Sequence, residues 1–137
     1  MDIFSHAVAG ASVGYAFGRP LLGAVFGVLP DVFAGIRRRI TPTALYDISH
    51  SAIPVAILLV AGLGTGEYVP ALAVLSHILL DLPTHGPVWA PPIALPFSKK
   101  RFSFGDEWEW LNWPWWKGLG LTLLWSLTWL TLAFPHK

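Results

Sequence analysis

The sequence contains no cysteine, and it is poor in charged residues. Without cysteine the chain can form neither disulfide bonds nor thiolate metal sites, so any metal ligands must come from histidine, aspartate or glutamate. Only 12% of the 137 residues are charged, about half the share found in a typical soluble domain. The formal net charge is +1 and the basic residues do not form a stripe, so the sequence does not indicate a nucleic-acid partner.

Apolar residues dominate the composition. They make up 54% of the chain, with a mean hydropathy of +0.56, which is typical of a membrane protein. The length suits a single domain, residues 1–137. The fold class that we predict is all-α: an integral membrane bundle of about five helices, four of them short and arranged as two hairpins. The apolar segments behind this prediction are residues 6–18, 21–30, 51–63, 69–82 and 118–134.

The first four apolar segments are shorter than the about 20 residues that span a bilayer. If residues 6–30 were one continuous span, Arg19 would lie near the bilayer centre, at a cost of about 2.5–3.5 kcal/mol. A hairpin that turns at Arg19 and Pro20 avoids this cost, and a second turn is predicted at the glycine-rich residues 62–67. With this alternation, the polar ends of all four short helices meet at one end of the bundle.

The stretch that closes the fourth segment carries two imidazoles and a carboxylate. His77 and Asp81 are four residues apart, so on a helix they share one face and can bind one metal ion together. Pro83 predicts that the helix ends there and that His85 lies just beyond it. The alternative for this stretch is an ordinary helix end with structural polar contacts.

Six polar side chains are expected to converge: His6, Asp31, His50, His77, Asp81 and His85. Ionisable groups in an apolar chain are energetically expensive and usually functional. Imidazoles and carboxylates together suit a divalent metal, with Zn the first choice and Mn or Fe as alternatives. A polar structural network without a metal is the competing interpretation.

The charged and aromatic clusters predict an orientation. The basic triplets at residues 37–39 and 99–101 lie at the ligand end, which by the positive-inside rule faces the cytoplasm. We therefore expect a multi-pass protein of the cell inner (plasma) membrane, with its site facing the cytoplasm. Residues 108–117 hold five of the eight tryptophans and resemble an interfacial anchor. The acidic residues 106, 107 and 109 are expected to be solvated.

Four short motifs, in order, resemble a known family. They are Met1-Asp2-Ile3-Phe4-Ser5-His6, Leu29-Pro30-Asp31, Ser49-His50-Ser51, and Leu75-Ser76-His77-Ile78-Leu79-Leu80-Asp81 followed by Thr84, Gly86 and Pro96-Phe97. On these residues the sequence resembles the YdjM-like inner-membrane proteins, described as LexA-regulated, membrane-bound metal-dependent hydrolases. The resemblance implies that the metal ligands are His6, Asp31, His50, His77 and Asp81. The family's similarity to zinc phospholipase C-like proteins implies a phosphoester substrate.

The sequence departs from the family pattern in two places. Phe33 stands where the family usually has a second acid after Leu-Pro-Asp. A His-Arg pair that commonly precedes the third motif is missing, and Leu45-Tyr46-Asp47 occupies that region. Asp47 is a candidate replacement for the lost carboxylate. The departures argue against a second metal ion.

The function that we expect is hydrolysis by a metal-dependent enzyme with membrane lipid, or a small-molecule or lipid phosphoester, as its partner. In this scheme the ligands hold the metal, Asp31 bridges ions or acts as the base that orients water, and His85 protonates the leaving group. The alternative is a non-catalytic integral membrane protein whose polar or metal cluster is structural or sensory.

Overall fold

The structure, a computed structural model, describes residues 1–34, 42–104 and 115–134. These ranges contain six α-helices and no strand, which confirms the predicted all-α class. The helices are α1 (Ile3–Ala16), α2 (Pro20–Ala34), α3 (Ala44–Ser49), α4 (Ala52–Thr65), α5 (Val69–Thr84) and α6 (Trp115–Ala133). The helix that the sequence did not predict, α3, has only 6 residues, too few to show a periodic apolar pattern. Thr43 starts α3 by accepting a hydrogen bond from the Tyr46 amide.

No helix in the described ranges is both long enough and apolar enough to cross a bilayer. The integral-membrane part of the predicted fold class is therefore unsupported and stays a prediction. Several predicted features lie outside the described residues: the basic triplet at 37–39, the acidic residues 106, 107 and 109, and the tryptophan-rich residues 108–114.

Helices α1 and α2 form the first predicted hairpin. Gly18 adopts a positive φ of 70° in the turn, and Pro20 opens α2, where its missing N–H is not needed. The two helices touch backbone to backbone through Gly10 and Gly14 on one side and Gly23 and Gly27 on the other. A Cβ atom added to Gly23 would lie 2.1 Å from the Gly10 carbonyl oxygen, so any side chain would force the helices apart.

Helices α4 and α5 form the second predicted hairpin. Gly66, with a φ of 75°, ends α4 and donates its amide to the Gly62 carbonyl. At the far end of the helix pair, α5 runs through Pro83 to Thr84, slightly past its predicted end. Pro83 has no N–H to donate to the Leu79 carbonyl, and the helix ends one residue after it. His85 caps α5, as its position after the helix predicted.

The core forms around α5, which packs against α1, α2 and α4. Val74 and Ile78 pack with Val55 of α4, while Leu80 packs with Met1 and Ala9 on the α1 side. The chain after α5 folds back over its polar end, where the Phe104 amide donates to the Leu82 carbonyl. The fold therefore encloses the part of α5 that carries the histidines and the aspartate.

Candidate metal centre

Four segments bring the six predicted side chains into one cluster. His6 comes from α1, Asp31 from the last turn of α2, and His50 from the junction between α3 and α4, whereas the rest belong to α5 and its cap. The buried members are His6, His50, His77, Asp81 and His85. Asp31 differs, because 27% of its side chain is exposed. We call this set the His/Asp cluster.

Asp81 lies at the centre of the His/Asp cluster. Its Oδ1 atom is 3.0 Å from His6 Nε2, 3.1 Å from His85 Nε2 and 2.8 Å from the amino nitrogen of Met1. Its Oδ2 atom faces the other way, 3.2 Å from His77 Nε2 and 3.6 Å from His50 Nε2. Despite these short distances, Oδ2 is buried and accepts no hydrogen bond within the described part of the chain.

Backbone carbonyls orient the two central imidazoles. His77 donates from Nδ1 to the Gly27 carbonyl oxygen at 2.6 Å, and His50 donates from Nδ1 to the Tyr46 carbonyl oxygen at 3.1 Å. With the proton on Nδ1, each neutral ring presents the lone pair of its Nε2 atom to the cluster. These two Nε2 atoms are only 3.1 Å apart. Two lone pairs at this distance repel each other unless a proton or a metal ion lies between them.

Asp31 completes the arrangement from the exposed side. Its Oδ1 atom lies 3.4 Å from His50 Nε2 and 3.7 Å from His77 Nε2. Two overlapping triads therefore could hold a metal ion: His6 with Asp31 and His77, and His50 with His77 and Asp81. Because His77 belongs to both triads, the arrangement provides one complete site rather than two independent ones.

Burial and charge set the protonation of the His/Asp cluster. Burial, assisted by the nearby His77, lowers the pKa of His6 to about 4, and burial also lowers the pKa of His50. Burial opposes ionisation of Asp81, but the positive charge at His85 and at the Met1 amino group holds the pKa of that carboxyl well below its usual range. Neutral imidazoles beside an ionised carboxylate are the states that metal binding requires.

His77 differs from its neighbours. Burial disfavours its charged form, yet Asp81 and Asp31 raise its pKa above the ordinary value. The two carboxylates therefore favour a positive charge at this position. A proton on Nε2 supplies it, and a divalent metal ion in the same place would supply it as well.

Two supporting residues were missed by the sequence reasoning. Tyr46 stacks on the His50 ring, with centroids 3.9 Å apart, and its hydroxyl donates to the Trp89 carbonyl oxygen. Its position four residues before His50 indicated this contact, because residues four apart are neighbours on a helix face. Gly27 acts only through its carbonyl group, so its residue type carried no such signal.

The proposed replacement carboxylate does not join the His/Asp cluster. Asp47 instead pairs with Arg101, with an oxygen to nitrogen distance of 2.6 Å. Arg101 also donates to the Ala90 carbonyl oxygen, and its pair with Asp47 ties the chain after α5 to α3. Phe33, at the position of the family's second acid, is exposed and apolar, so it adds no ligand. Both observations agree with a single metal site.

No family model, curated protein or solved structure matches this chain. The resemblance to the YdjM-like proteins therefore stays a prediction, and the functional argument depends on the geometry of the His/Asp cluster.

Proposed function

We propose that this protein is a metal-dependent hydrolase that binds one divalent ion, most suitably zinc, and cleaves phosphoesters. One observation carries the proposal: the spacing of the donor atoms around the two central imidazoles, each of which lies close to both carboxylates. Nε2 of His50 and of His77 and the carboxylate oxygens of Asp31 and Asp81 lie 3.1–3.7 Å apart in the five pairs measured above. Ligands placed about 2.0–2.2 Å from a tetrahedral zinc ion are separated by about 3.3–3.6 Å.

The proposed roles follow from burial. His50, His77 and Asp81 are the buried ligands. His6 orients Asp81 through a contact with the Asp81 Oδ1 atom, on the side away from the proposed metal. A bound divalent ion would supply Lewis acidity and lower the pKa of a water molecule toward neutrality. Asp31, on the exposed side, accepts a proton from the attacking water. His85 is proposed to donate a proton to the leaving group, and for this its ring must turn away from Asp81 Oδ1, which lies 3.1 Å from its Nε2 atom.

A second candidate function is a closed structural or sensory metal site. Structural zinc is typically held by four protein donors, whereas catalytic zinc keeps one position for water. Burial of every cluster member except Asp31 also favours this alternative. The two functions therefore differ in whether Asp31 yields its position to water and substrate.

We further propose that the protein works at a membrane, with lipid as its partner. Large apolar side chains project from the outer helix faces, among them Leu21 at 81% exposure and Leu63 at 76%. Exposed apolar surface on this scale is uncommon for a monomer in water and fits contact with lipid. The cytoplasmic orientation remains a prediction.

The test combines metal analysis with hydrolysis assays. Wild-type protein, purified in detergent and loaded with zinc or manganese, is expected to bind about one ion per chain and to hydrolyse phospholipid or simple phosphoester substrates. His77→Ala should lose both properties. Ser76→Ala is the matched control, because Ser76 is buried beside His77 and, within the described part of the chain, its hydroxyl bonds only to the Leu72 carbonyl.

The results distinguish the proposed hydrolase from the structural or sensory metal site. Activity that survives both His77→Ala and chelation would contradict the proposed hydrolase. Bound metal without activity on any phosphoester would favour the structural or sensory site.

A further inference from the structure

An apolar groove of about 310 Å³ opens beside the His/Asp cluster. Its walls come from α2, α3, α4 and α5, and include Phe26, Phe33, Leu45, Ile57 and Leu58. Among the lining side chains that the structure describes only one is polar, that of Ser49, and its hydroxyl is hydrogen-bonded to the Tyr46 carbonyl at 3.2 Å. In the described ranges the groove therefore presents an apolar surface with no polar group directed at a ligand.

Two residues that line the groove are sequence neighbours of members of the His/Asp cluster. Pro30 and Ser49 both line the groove, and each directly precedes a proposed metal-site residue, Asp31 and His50. Asp31 is also the most exposed member of the cluster. A molecule that fills the groove therefore has one end beside the exposed side of the metal site.

We infer that this groove binds a single alkyl chain of the substrate, so that a chain-bearing phosphoester lies with its head group at Asp31. This inference deepens the proposed hydrolase function and rests on it. The volume of about 310 Å³ is at the lower end of the range for ligand pockets. A groove of this size suits a single alkyl chain.

The chemistry of the groove selects hydrocarbon over a polar ligand. Hydroxyl or amide groups placed there would lose hydrogen bonds to water without replacement, which is unfavourable. The rim is open, since Phe33, Leu45 and Ile57 are each more than half exposed. A chain can therefore enter from the side, from a lipid layer in contact with these residues.

The binding test uses hexyl, octyl, decyl and dodecyl phosphate with metal-free protein in a steroid-based detergent, which has no alkyl chain to compete. Affinity should rise by up to about four-fold for each added methylene, and should level off near the length that fills the groove. Omitting the metal separates binding of the chain from binding of the phosphate.

Two substitutions in α4 form a matched pair. Ile57→Trp places a bulky side chain in the groove and should flatten the chain-length dependence. Val60→Trp is the control, because Val60 is similarly exposed, 68% against 63% for Ile57, but does not line the groove. Val60→Trp should keep the wild-type dependence, and both variants should bind zinc as the wild type does.

The outcomes distinguish this inference from the function on which it rests. Affinities that do not change along the series in wild type, or that change equally in both tryptophan variants, would overturn the alkyl-chain site even if zinc binding and hydrolysis are present. If the chain-length dependence is present but the protein takes up no zinc when zinc is supplied, the proposed hydrolase would instead be overturned. Faster hydrolysis of decyl than of hexyl phosphoesters, lost in Ile57→Trp, would support both.

Discussion

At the scale of single residues, the fixed direction of each imidazole matters most. The Gly27 carbonyl accepts a hydrogen bond from His77 Nδ1, and the Tyr46 carbonyl accepts one from His50 Nδ1. Both Nε2 atoms therefore face Asp81 and Asp31. His6 stacks on His77, with ring centroids 3.6 Å apart, and limits its rotation. The donor atoms are therefore positioned by the protein itself, as a high-affinity metal site requires.

His85 provides a prediction at this scale. Its Nε2 atom is 3.1 Å from Asp81 Oδ1, on the side of that carboxylate opposite the proposed metal ligand atom. At saturating zinc, His85→Gln should lower kcat by about 10²–10⁴-fold, the range for loss of a general acid. Metal content should stay at the wild-type value.

A purely structural role of His85 would produce a different pattern. In that case His85→Gln would lower metal content or stability, and kcat per bound zinc ion would stay at the wild-type value. Steady-state kinetics, together with metal analysis of the same samples, separates the two roles.

At the scale of helices, the contact between α1 and α2 supports the site. A Cβ atom on Gly27 would lie 2.5 Å from the His6 carbonyl oxygen, and the Gly27 carbonyl itself holds His77. The same glycine therefore sets the distance between the helices and the direction of an imidazole. Because both partners of this contact are backbone atoms, no side chain can move aside to relieve a clash.

Three alanine substitutions test this coupling. Gly27→Ala should lower the free energy of unfolding by about 1–3 kcal/mol or more, and weaken zinc binding by about 10–100-fold. Gly23→Ala should destabilise the protein to a similar extent but weaken zinc binding less, because the Gly23 carbonyl does not hold a ligand. Gly64→Ala is the control, since a Cβ atom there meets nothing within 4 Å.

Denaturant unfolding and zinc titration measure the two effects separately. Gly64→Ala should be neutral or stabilising, by up to about 1 kcal/mol, because alanine favours the helix over glycine. Wild-type stability in Gly27→Ala would contradict the close approach of α1 and α2. Equal zinc affinities in Gly23→Ala and Gly27→Ala would contradict the specific role of the Gly27 carbonyl.

At the scale of the whole molecule, the proposed metal site links segments that are distant in sequence. Its donors come from α2, from the junction between α3 and α4, and from α5. His6 of α1 contacts Asp81 on the side away from the proposed metal. An unfolded chain cannot bring these groups together, so metal binding should stabilise the folded state. A ligand at 100 times its Kd adds about 2.7 kcal/mol to the free energy of unfolding.

Zinc should therefore raise the Tm of the wild type, with a shift that grows with zinc concentration and is reversed by a chelator. His77→Ala should show no shift, whereas Ser76→Ala should respond as the wild type does. Thermal unfolding followed by circular dichroism measures each case. A wild-type Tm that is independent of zinc would contradict the metal centre itself, whatever the enzymatic activity.

The sequence by itself determined the all-α class, the two hairpins and the polar residues to examine. Apolar segments, the Arg19-Pro20 turn and the glycine-rich turn near Gly66 are local signals, and local signals are enough to place helices and turns. The i, i+4 spacing of His77 and Asp81 likewise follows from helix geometry alone. Alternation of the helices then predicted which ends meet.

Only the tertiary structure decided how these residues are used. The pairing of Asp47 with Arg101, the carbonyl that orients His77 and the groove beside Asp31 each depend on contacts between segments far apart in the chain. Residue type does not show where a backbone carbonyl points, and a groove exists only between packed helices. Burial decided the protonation of His6 and His50 in the same way, because desolvation depends on everything that surrounds a side chain.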